Sequence, residues 1–137
     1  PRYPAMLQSA RFEGSVRAWV ERDPQAAAAL FTEDASYRSS PFVEPNLGQE
    51  GVVAYWTGAT STQAEVEVEM GEPLVDGNHA AVEWWTRMRA DGDEITLVGC
   101  LLLRFAADGR CEDLREYWNY ESGRLPPHEG WGSWPRR

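Results

Sequence analysis

The stretch Ile95–Tyr120 constrains the fold more than any other part of the sequence. It contains two runs rich in β-branched, leucine and aromatic residues on either side of Asp108-Gly109. Asp-Gly between two such runs is a strong hairpin signal, because both central residues of a type I′ turn need a positive φ. A two-residue turn of this kind pairs Leu101 with Glu116. The sequence therefore predicts a long antiparallel hairpin.

Side chains alternate between the two faces of a strand, so this register divides the hairpin into two faces. One face is apolar apart from a single carboxylate, Glu116, and it is predicted to face the core. The other face mixes apolar and charged side chains. The predicted core face carries Leu101, Leu103, Phe105, Leu114, Glu116 and Trp118, and the opposite face carries Cys100, Leu102, Arg104, Cys111, Asp113, Arg115 and Tyr117.

Ahead of the hairpin, the sequence predicts three helices. Apolar residues recur at helical spacing in the first segment. Asp23-Pro24 is typical of a helix start, with the aspartate as N-cap and the proline at the first helical position. The predicted helices run from Met6 to Val20, from Pro24 to near Thr32, and from Gly48 to just before Gly58.

Strands follow the second helix and fill the second half of the chain. Alternation of apolar and acidic residues over Ala64–Met70 indicates a half-buried strand, whose glutamates can pair with arginines across the sheet. Asp91-Gly92 predicts a second tight turn, which places Trp84 opposite Gly99. Three helices followed by an antiparallel meander form an α+β pattern, with the helices packed on one side of a curved sheet. The predicted strands cover Glu33–Ser39, Ala64–Met70, Ala80–Arg89 and the two arms of the hairpin.

The length and charge of the chain exclude several classes of protein. We expect a single domain over all 137 residues, with a core of about 6–120 and an extended tail of 121–137. The formal charge of −9 argues against nucleic-acid binding, which needs a basic patch. No apolar run approaches the ~20 residues of a membrane helix, and the first residues do not show the pattern expected of a signal peptide. We therefore expect a cytoplasmic protein that does not bind membranes.

The two cysteines are predicted to be free thiols. In the predicted register, Cys100 lies opposite Tyr117 and Cys111 lies opposite Ala106. The two thiols are then several residue pairs apart, beyond the ~7 Å limit on the Cα separation of a disulfide. No histidine or cysteine stands at a metal-binding spacing from them. We expect no metal and no cofactor.

Five short motifs stand in a characteristic order along the chain. They are Leu30-Phe31-Thr32-Glu33-Asp34-Ala35, Pro41, Gly48 with Val52 and Tyr55-Trp56, Asp108-Gly109, and Leu114-Arg115-Glu116-Tyr117-Trp118. Their order and spacing resemble the nuclear transport factor 2-like superfamily, and within it the SnoaL-like branch, over roughly residues 6 to 120. The resemblance implies a conical α+β barrel, in which three helices fold over a strongly curved, mixed sheet and enclose an apolar pocket. It also implies a homodimer through the convex side of the sheet.

Compared residue by residue with three groups of enzymes in this superfamily, the chain does not keep a complete catalytic set of any of them. The aspartate base of ketosteroid isomerases falls at Ser39, or at Ser40 if the chain is aligned on Pro41. Their oxyanion-hole aspartate falls at Leu101 and their tyrosine near Ser15, so that mechanism is absent. Limonene-epoxide hydrolases use an Asp-Arg-Asp set, of which only the last aspartate keeps an acidic counterpart, Glu116. Scytalone dehydratases rely on a His-Asp pair that neither histidine of the chain matches.

Glu116 is the candidate catalytic acid or base. A carboxylate is costly to bury among apolar side chains, so it is expected to be neutral with a raised pKa or to be hydrogen-bonded. Such a carboxyl suits general acid–base catalysis near neutral pH. The alternative is a core carboxylate bonded to an indole or a hydroxyl. Tyr37 and Ser39 are the candidate catalytic partners. The predicted ligand-binding residues are Trp19, Trp56, Trp84, Thr86, Leu101 and Trp118.

Seven tryptophans leave two hypotheses open, because such rings line cores, pockets and interfaces alike. The first is a small acid–base enzyme, such as a cyclase, isomerase, dehydratase or hydrolase, acting on a small apolar or aromatic substrate. The second is a non-catalytic ligand-binding or structural homodimer, whose tryptophans fill the cone. The hypotheses differ in whether the pocket is open and whether Glu116 faces it.

The face of the sheet opposite Glu116 has an apolar centre and a charged rim, which is the anatomy of an interface. We expect a two-fold homodimer through this face. The alternative is that the C-terminal tail folds back through Trp131 or Trp134 and covers it. The predicted interface residues are Glu83, Trp85, Arg87, Cys100, Leu102 and Tyr117.

Overall fold

The structure, a computed structural model, describes residues 17–134 of the chain. Residues 17–20 are helical and belong to the first predicted helix, whose remaining part lies outside the described residues. Two further helices follow, α1 over Pro24–Ala28 and α2 over Gly48–Thr60. Asp23 caps α1 as predicted, because its carboxylate accepts hydrogen bonds from the backbone N–H groups of Gln25 and Ala26 at 3.1 Å.

Both helices end at other points than the sequence predicts. α1 stops at Ala28 instead of near Thr32, because Phe31 leaves the helix and starts a strand, in which its ring is buried in the core. α2 continues through Gly58 to Thr60. A helical glycine costs about 1 kcal/mol relative to alanine. The burial of Trp56 on the same helix offsets that cost.

A seven-stranded mixed sheet forms the second layer. Its strands are β1 (Phe31–Arg38), β2 (Asn46–Leu47), β3 (Gln63–Met70), β4 (Leu74–Asp76), β5 (His79–Ala90), β6 (Asp93–Phe105) and β7 (Cys111–Ser122). The strand order is β2-β1-β7-β6-β5-β3, and β4 pairs with β5. β1 runs parallel to β7, and the other described pairs are antiparallel. The helices cover one face of this curved sheet, here called the inner face, so the α+β prediction is confirmed.

The predicted strand register is confirmed across β5, β6 and β7. Leu101 lies opposite Glu116, and Trp84 lies opposite Gly99. The turn between β5 and β6 is also the predicted one, since φ is 51° at Asp91 and 86° at Gly92. This register places Glu116 on the inner face.

The turn between β6 and β7 differs from the prediction. Gly109 alone has a positive φ there, 86°, and the N–H of Ala106 donates to the carbonyl of Arg110 at 2.8 Å. The loop therefore has three residues instead of two. Glu112 is then an extra residue in the ladder, a β-bulge. The bulge turns Cys111 into the core, whereas the sequence placed this residue on the opposite face.

Both cysteines are free thiols, as predicted. Burial raises the pKa of Cys111 to about 12. Burial also raises the pKa of Cys100, and the nearby charge of Glu83 adds to the shift. Since the thiolate is the reactive form, neither side chain is a ready nucleophile at neutral pH.

The C-terminal tail covers part of the outer face, the side of the sheet opposite the helices. The indole N–H of Trp85 donates to the carbonyl of Leu125 at 2.9 Å, and the ring of Trp131 lies 5.6 Å from that of Trp85. The tail therefore folds back through Trp131 and covers Trp85, as in the alternative to the homodimer. Trp134, in contrast, stays half-exposed.

The rest of the outer face is open to solvent. Leu102 and Tyr117 keep 42% and 45% of their surface exposed. The acidic side chains of β3 form the predicted cross-strand ion pairs, which are worth little individually because they are exposed. These pairs are Arg87 with Glu67 and Glu69, and Arg89 with Glu65.

Gly99→Ala is expected to destabilise the fold. A Cβ at this position would lie 2.5 Å from the carbonyl oxygen of Tyr117 and 2.7 Å from Cζ2 of Trp84, so a strand or a packed ring must move. Overpacking of this kind costs about 1–3 kcal/mol. Urea denaturation should give a midpoint below that of the wild type.

Gly58→Ala is the matched control. A Cβ there meets nothing within 4 Å, and the residue lies in α2, where alanine favours the helix by about 1 kcal/mol. Its urea midpoint should rise. An unchanged midpoint for Gly99→Ala would contradict the close packing at Gly99.

Candidate functional site

A cavity of about 190 Å³ lies between the helices and the inner face of the sheet. Its walls come from residues 17–20, both described helices, and strands β1, β3, β5, β6 and β7. For scale, an apolar cavity of about 150 Å³ holds benzene, whereas pockets for drug-sized ligands begin near 300 Å³. The cavity therefore suits a molecule with a single ring or of similar size. The tryptophans do not fill the cone completely.

Most of the predicted site residues line this cavity. The carboxyl of Glu116 lies in its wall, which is the arrangement that the acid–base hypothesis needs. The predicted residues that line it are Tyr37 and Glu116 from the catalytic set and Trp19, Trp56, Trp84, Leu101 and Trp118 from the ligand-binding set.

Two predicted residues, Ser39 and Thr86, do not line the cavity. Thr86 is fully buried and lies further along the inner face of β5 than Trp84. Its neighbour on that face is Met88, which belongs to a second apolar cluster. Ser39 is buried just after β1, where its main-chain carbonyl accepts a hydrogen bond from the indole of Trp118 at 2.9 Å. Residue alternation correctly gives the face, but it does not give the position of the cavity along the strand.

The cavity also includes residues that the sequence analysis did not assign to it. Tyr55 precedes Trp56 on α2, and neighbouring helical positions can border the same space. Met70 was predicted to lie on the apolar side of β3, which is the signal that marks it as a wall residue. Alternation places Leu97 on the same face of β6 as Leu101, whereas Gln63 carries no such signal.

The carboxyl of Glu116 is strongly affected by its surroundings. Burial raises its pKa from 4.5 to about 8, and a hydrogen bond from Tyr37 opposes that shift. The hydroxyl of Tyr37 donates to Oε2 of Glu116 over 3.5 Å, which is long for an O–H···O bond. The residue keeps some accessible surface, as expected for a side chain that borders a cavity. At pH 7 the carboxyl is mostly protonated.

Two tyrosines flank Glu116 and stay neutral. Burial raises the pKa of Tyr37 well above its usual value, and the charge of Glu116 raises it further. Burial likewise raises the pKa of Tyr55 to about 12, again with a contribution from Glu116, while the Ser39 hydroxyl acts in the opposite direction. The two rings lie 5.2 Å apart. Both hydroxyls can therefore act as hydrogen-bond donors, but not as bases.

Tryptophan rings form adjoining walls of the cavity. Trp19 lies 6.1 Å from Trp56 and 5.1 Å from Trp84, with the ring planes inclined by 72° and 65°. Edge-to-face pairs of this kind stabilise the packing beyond their buried area. Trp118 also lines the cavity but keeps 46% of its surface exposed, so it lies at the mouth.

The indole N–H groups of these tryptophans are not offered to the cavity. Trp19 donates to the side-chain oxygen of Gln63, and Trp118 donates to a main-chain carbonyl, both at 2.9 Å. Trp56 and Trp84 have N–H groups that are buried without a hydrogen-bond partner. The Trp56 N–H does lower the pKa of Tyr37, but it does not reach hydrogen-bond geometry. The rings therefore present carbon to the cavity.

No group of three metal-ligating side chains occurs within residues 17–134. The same part of the chain contains no helix that is long and apolar enough to cross a membrane.

Comparison with known proteins gives a family match. The family model of the SnoaL-like domain matches residues 12–114 of the 137-residue chain. This agrees with the resemblance inferred from the sequence motifs. No curated protein matches the chain.

Solved structures share the fold at low sequence identity. The RV0760c protein of Mycobacterium tuberculosis is 16% identical, with a TM-score of 0.76 and coverage of 89% of this chain and 100% of the other. SalBIII, an epoxide hydrolase/cyclase-like enzyme in pyran ring formation in the polyether salinomycin, is 20% identical, with a TM-score of 0.68 and coverage of 82% and 92%. A hypothetical protein with a ketosteroid isomerase-like fold from Catenulispora acidiphila, in complex with trimethylamine, is 18% identical, with a TM-score of 0.69 and coverage of 78% and 83%.

The raised pKa of Glu116 predicts that this residue makes stability fall as pH rises. Below pH 4.5 the carboxyl is protonated in both the folded and the unfolded chain. Between pH 4.5 and about 8 it is ionised only in the unfolded chain, so unfolding releases a proton and is favoured by higher pH. The free energy of unfolding of the wild type relative to Glu116→Gln should fall by a few kcal/mol over this interval.

Urea denaturation of both proteins from pH 4.5 to 9 measures this difference. Glu121→Gln, an exposed substitution on the same strand, is the matched control, and its effect should be small at every pH. A constant difference between the wild type and Glu116→Gln across the interval would show that Glu116 has an ordinary pKa.

Proposed function

The chain belongs to the SnoaL-like domain family, and we propose that it binds a small, largely apolar molecule in its cavity and exchanges a proton with it through Glu116. The observation that carries this proposal is the position of that carboxyl, which has a pKa of about 8 and lies in the wall of a largely apolar cavity. A general acid or base is most effective when its pKa lies near the working pH.

The contacts of Glu116 favour one oxygen atom for the reaction. Tyr37 donates to Oε2, so Oε1 is the oxygen left to meet the ligand. The neutral hydroxyl of Tyr37 holds the carboxyl in place in either protonation state. Glu116 can thus donate a proton below pH 8 and accept one above it. Cyclisation, isomerisation, dehydration and hydrolysis all contain a step of this kind.

Two structural neighbours come from different chemical settings. SalBIII is described in connection with pyran ring formation, whereas the Catenulispora acidiphila protein was in complex with trimethylamine. At 20% and 18% identity these likenesses show the fold alone. The ligand class of this chain has to be inferred from its own side chains.

A binding protein without catalysis is the second candidate. Glu116 is the one carboxyl that lines the cavity, and no arginine, lysine or histidine lines it among residues 17–134. A reaction that needs a separate acid and base would lack one of them. In this version Glu116 supplies only the polar contact that orients the ligand.

Hydrogen–deuterium exchange at the α-carbons of cyclohexanone separates these candidates. This neutral, one-ring ketone fits the cavity, and its exchange needs only proton transfer. The wild type should accelerate the exchange, with kcat/KM changing near pH 8. Glu116→Gln should lower kcat/KM by about 100-fold or more. Glu121→Gln should keep the wild-type rate.

The binding of cyclohexanone is measured in parallel by NMR. Binding without any acceleration by the wild type would rule out catalysis and favour the binding protein. Absence of binding by cyclohexanone and by every other small apolar molecule of similar size would contradict both candidates.

We also propose that the open part of the outer face forms a two-fold homodimer. Leu102 and Tyr117 are half-exposed there, next to ion-paired side chains. Trp85 is excluded from the centre of such an interface, because the tail already covers it. The interface would therefore be smaller than the sequence predicts.

Leu102→Arg should convert the dimer into a monomer in sedimentation velocity, because it places an unpaired charge in the apolar centre of the interface. Phe42→Arg is the control, since Phe42 is 97% exposed on the loop between β1 and β2. A wild type that sediments as a monomer, or a Leu102→Arg variant that stays dimeric, would contradict this interface.

A further inference from the structure

Aromatic rings make up much of the cavity wall. Seven of the lining residues are aromatic, and they come from every layer of the fold. They are Trp19, Phe31, Tyr37, Tyr55, Trp56, Trp84 and Trp118. The inclined planes of Trp19, Trp56 and Trp84 make this a box of rings instead of a stack.

Most hydrogen-bond donors of this box are already engaged or sealed, and the hydroxyl of Tyr55 is the exception. The N–H groups of Trp19 and Trp118 have acceptors, and those of Trp56 and Trp84 are buried out of contact with any water-sized space. The hydroxyl of Tyr37 donates its hydrogen bond to Glu116. The wall therefore suits an anion poorly, since no arginine, lysine or histidine lines it among residues 17–134 and few of its donors are open.

Glu116 is the one carboxyl that lines the cavity among residues 17–134, and Tyr37 contacts only its Oε2. Among residues 17–134 its carboxyl forms no ion pair, although eight ion pairs occur elsewhere in that part of the chain. The electron-rich faces of aromatic rings and a carboxylate both attract positive charge. The formal charge of −9 on the whole chain acts in the same direction.

We propose that the ligand of this cavity is a small alkylammonium ion, whose positively charged nitrogen faces Glu116 and whose alkyl groups contact the surrounding rings. The inference rests on the binding part of the proposed function, because it concerns the same cavity and identifies the polar group of its ligand. Boxes of aromatic side chains are the usual receptors for methylated ammonium groups. A trimethylammonium group is also close to benzene in size, as the cavity volume requires.

The proton balance of this binding is specific. A quaternary ammonium ion has no proton to give, so it pairs with the ionised form of Glu116. Below pH 8 that form is produced by loss of the carboxyl proton to solvent. Binding therefore releases up to one proton per site, and affinity rises with pH until the carboxyl is fully ionised.

Choline and 3,3-dimethylbutan-1-ol test the charge directly, because they have nearly the same shape and differ in a central nitrogen or carbon. Calorimetric titration at pH 9 should give at least tenfold tighter binding of choline. Between pH 9 and pH 6 its affinity should fall by up to about 100-fold, since two pH units separate pH 6 from the pKa of Glu116. The affinity of the alcohol should change little.

Two variants assign the effect to the carboxyl and to the rings. Glu116→Gln should abolish the preference for choline and its pH dependence while the alcohol still binds. Trp118→Leu changes a half-exposed residue at the mouth, so the fold should tolerate it. This variant should weaken choline binding roughly threefold more than binding of the alcohol.

Equal affinity for the two compounds at pH 9, or choline binding without pH dependence, would overturn the alkylammonium proposal. The proposed function would stand in that case, because the alcohol still occupies the cavity. Failure of choline, the alcohol and cyclohexanone alike to bind would overturn the proposed function as well.

Discussion

The pairing of β6 with β7 sets the position of the group on which the site depends. In its register Leu101 faces Glu116, so the carboxyl is on the inner face among apolar side chains. A slip by one residue would move every side chain of β7 to the other face and expose Glu116 to water. Gly99 contributes to the same result. Its missing side chain leaves room for Trp84 and for the Cβ of Trp118, so that both tryptophans border the cavity.

Burying the carboxyl of Glu116 costs free energy, and interactions elsewhere in the fold offset that cost. Its carboxyl loses contact with bulk water and gains one long hydrogen bond, from Tyr37. An apolar residue in the same place would avoid that cost. The long hydrogen-bonded ladders between β5, β6 and β7 stabilise the fold and offset the free energy lost by burying this carboxyl. Local costs of this kind are typical of functional sites.

The sequence predicts the elements of the fold better than their local irregularities. Alternation along β5 and β6 and the tight turn at Asp91-Gly92 suffice to pair Trp84 with Gly99. No sequence pattern predicts the bulge at Glu112, which lies where β7 pairs with both β6 and β1 and which carries Cys111 into the core. The position of Thr86 beyond the cavity was equally unpredictable, because alternation gives the face of a residue and not its depth under the helices.

The chemistry of the cavity follows from what its donors already bind. Four tryptophans suggest four N–H groups for a ligand, yet none is available, because each is bonded or sealed within the wall. Because these N–H groups are unavailable, the tryptophans present ring faces to a ligand, and such faces favour positive charge. Glu116 then has two states with different partners. The protonated carboxyl suits a neutral molecule, and the carboxylate suits a cation. Because its pKa lies near 8, the ligand itself decides which state is populated under ordinary conditions.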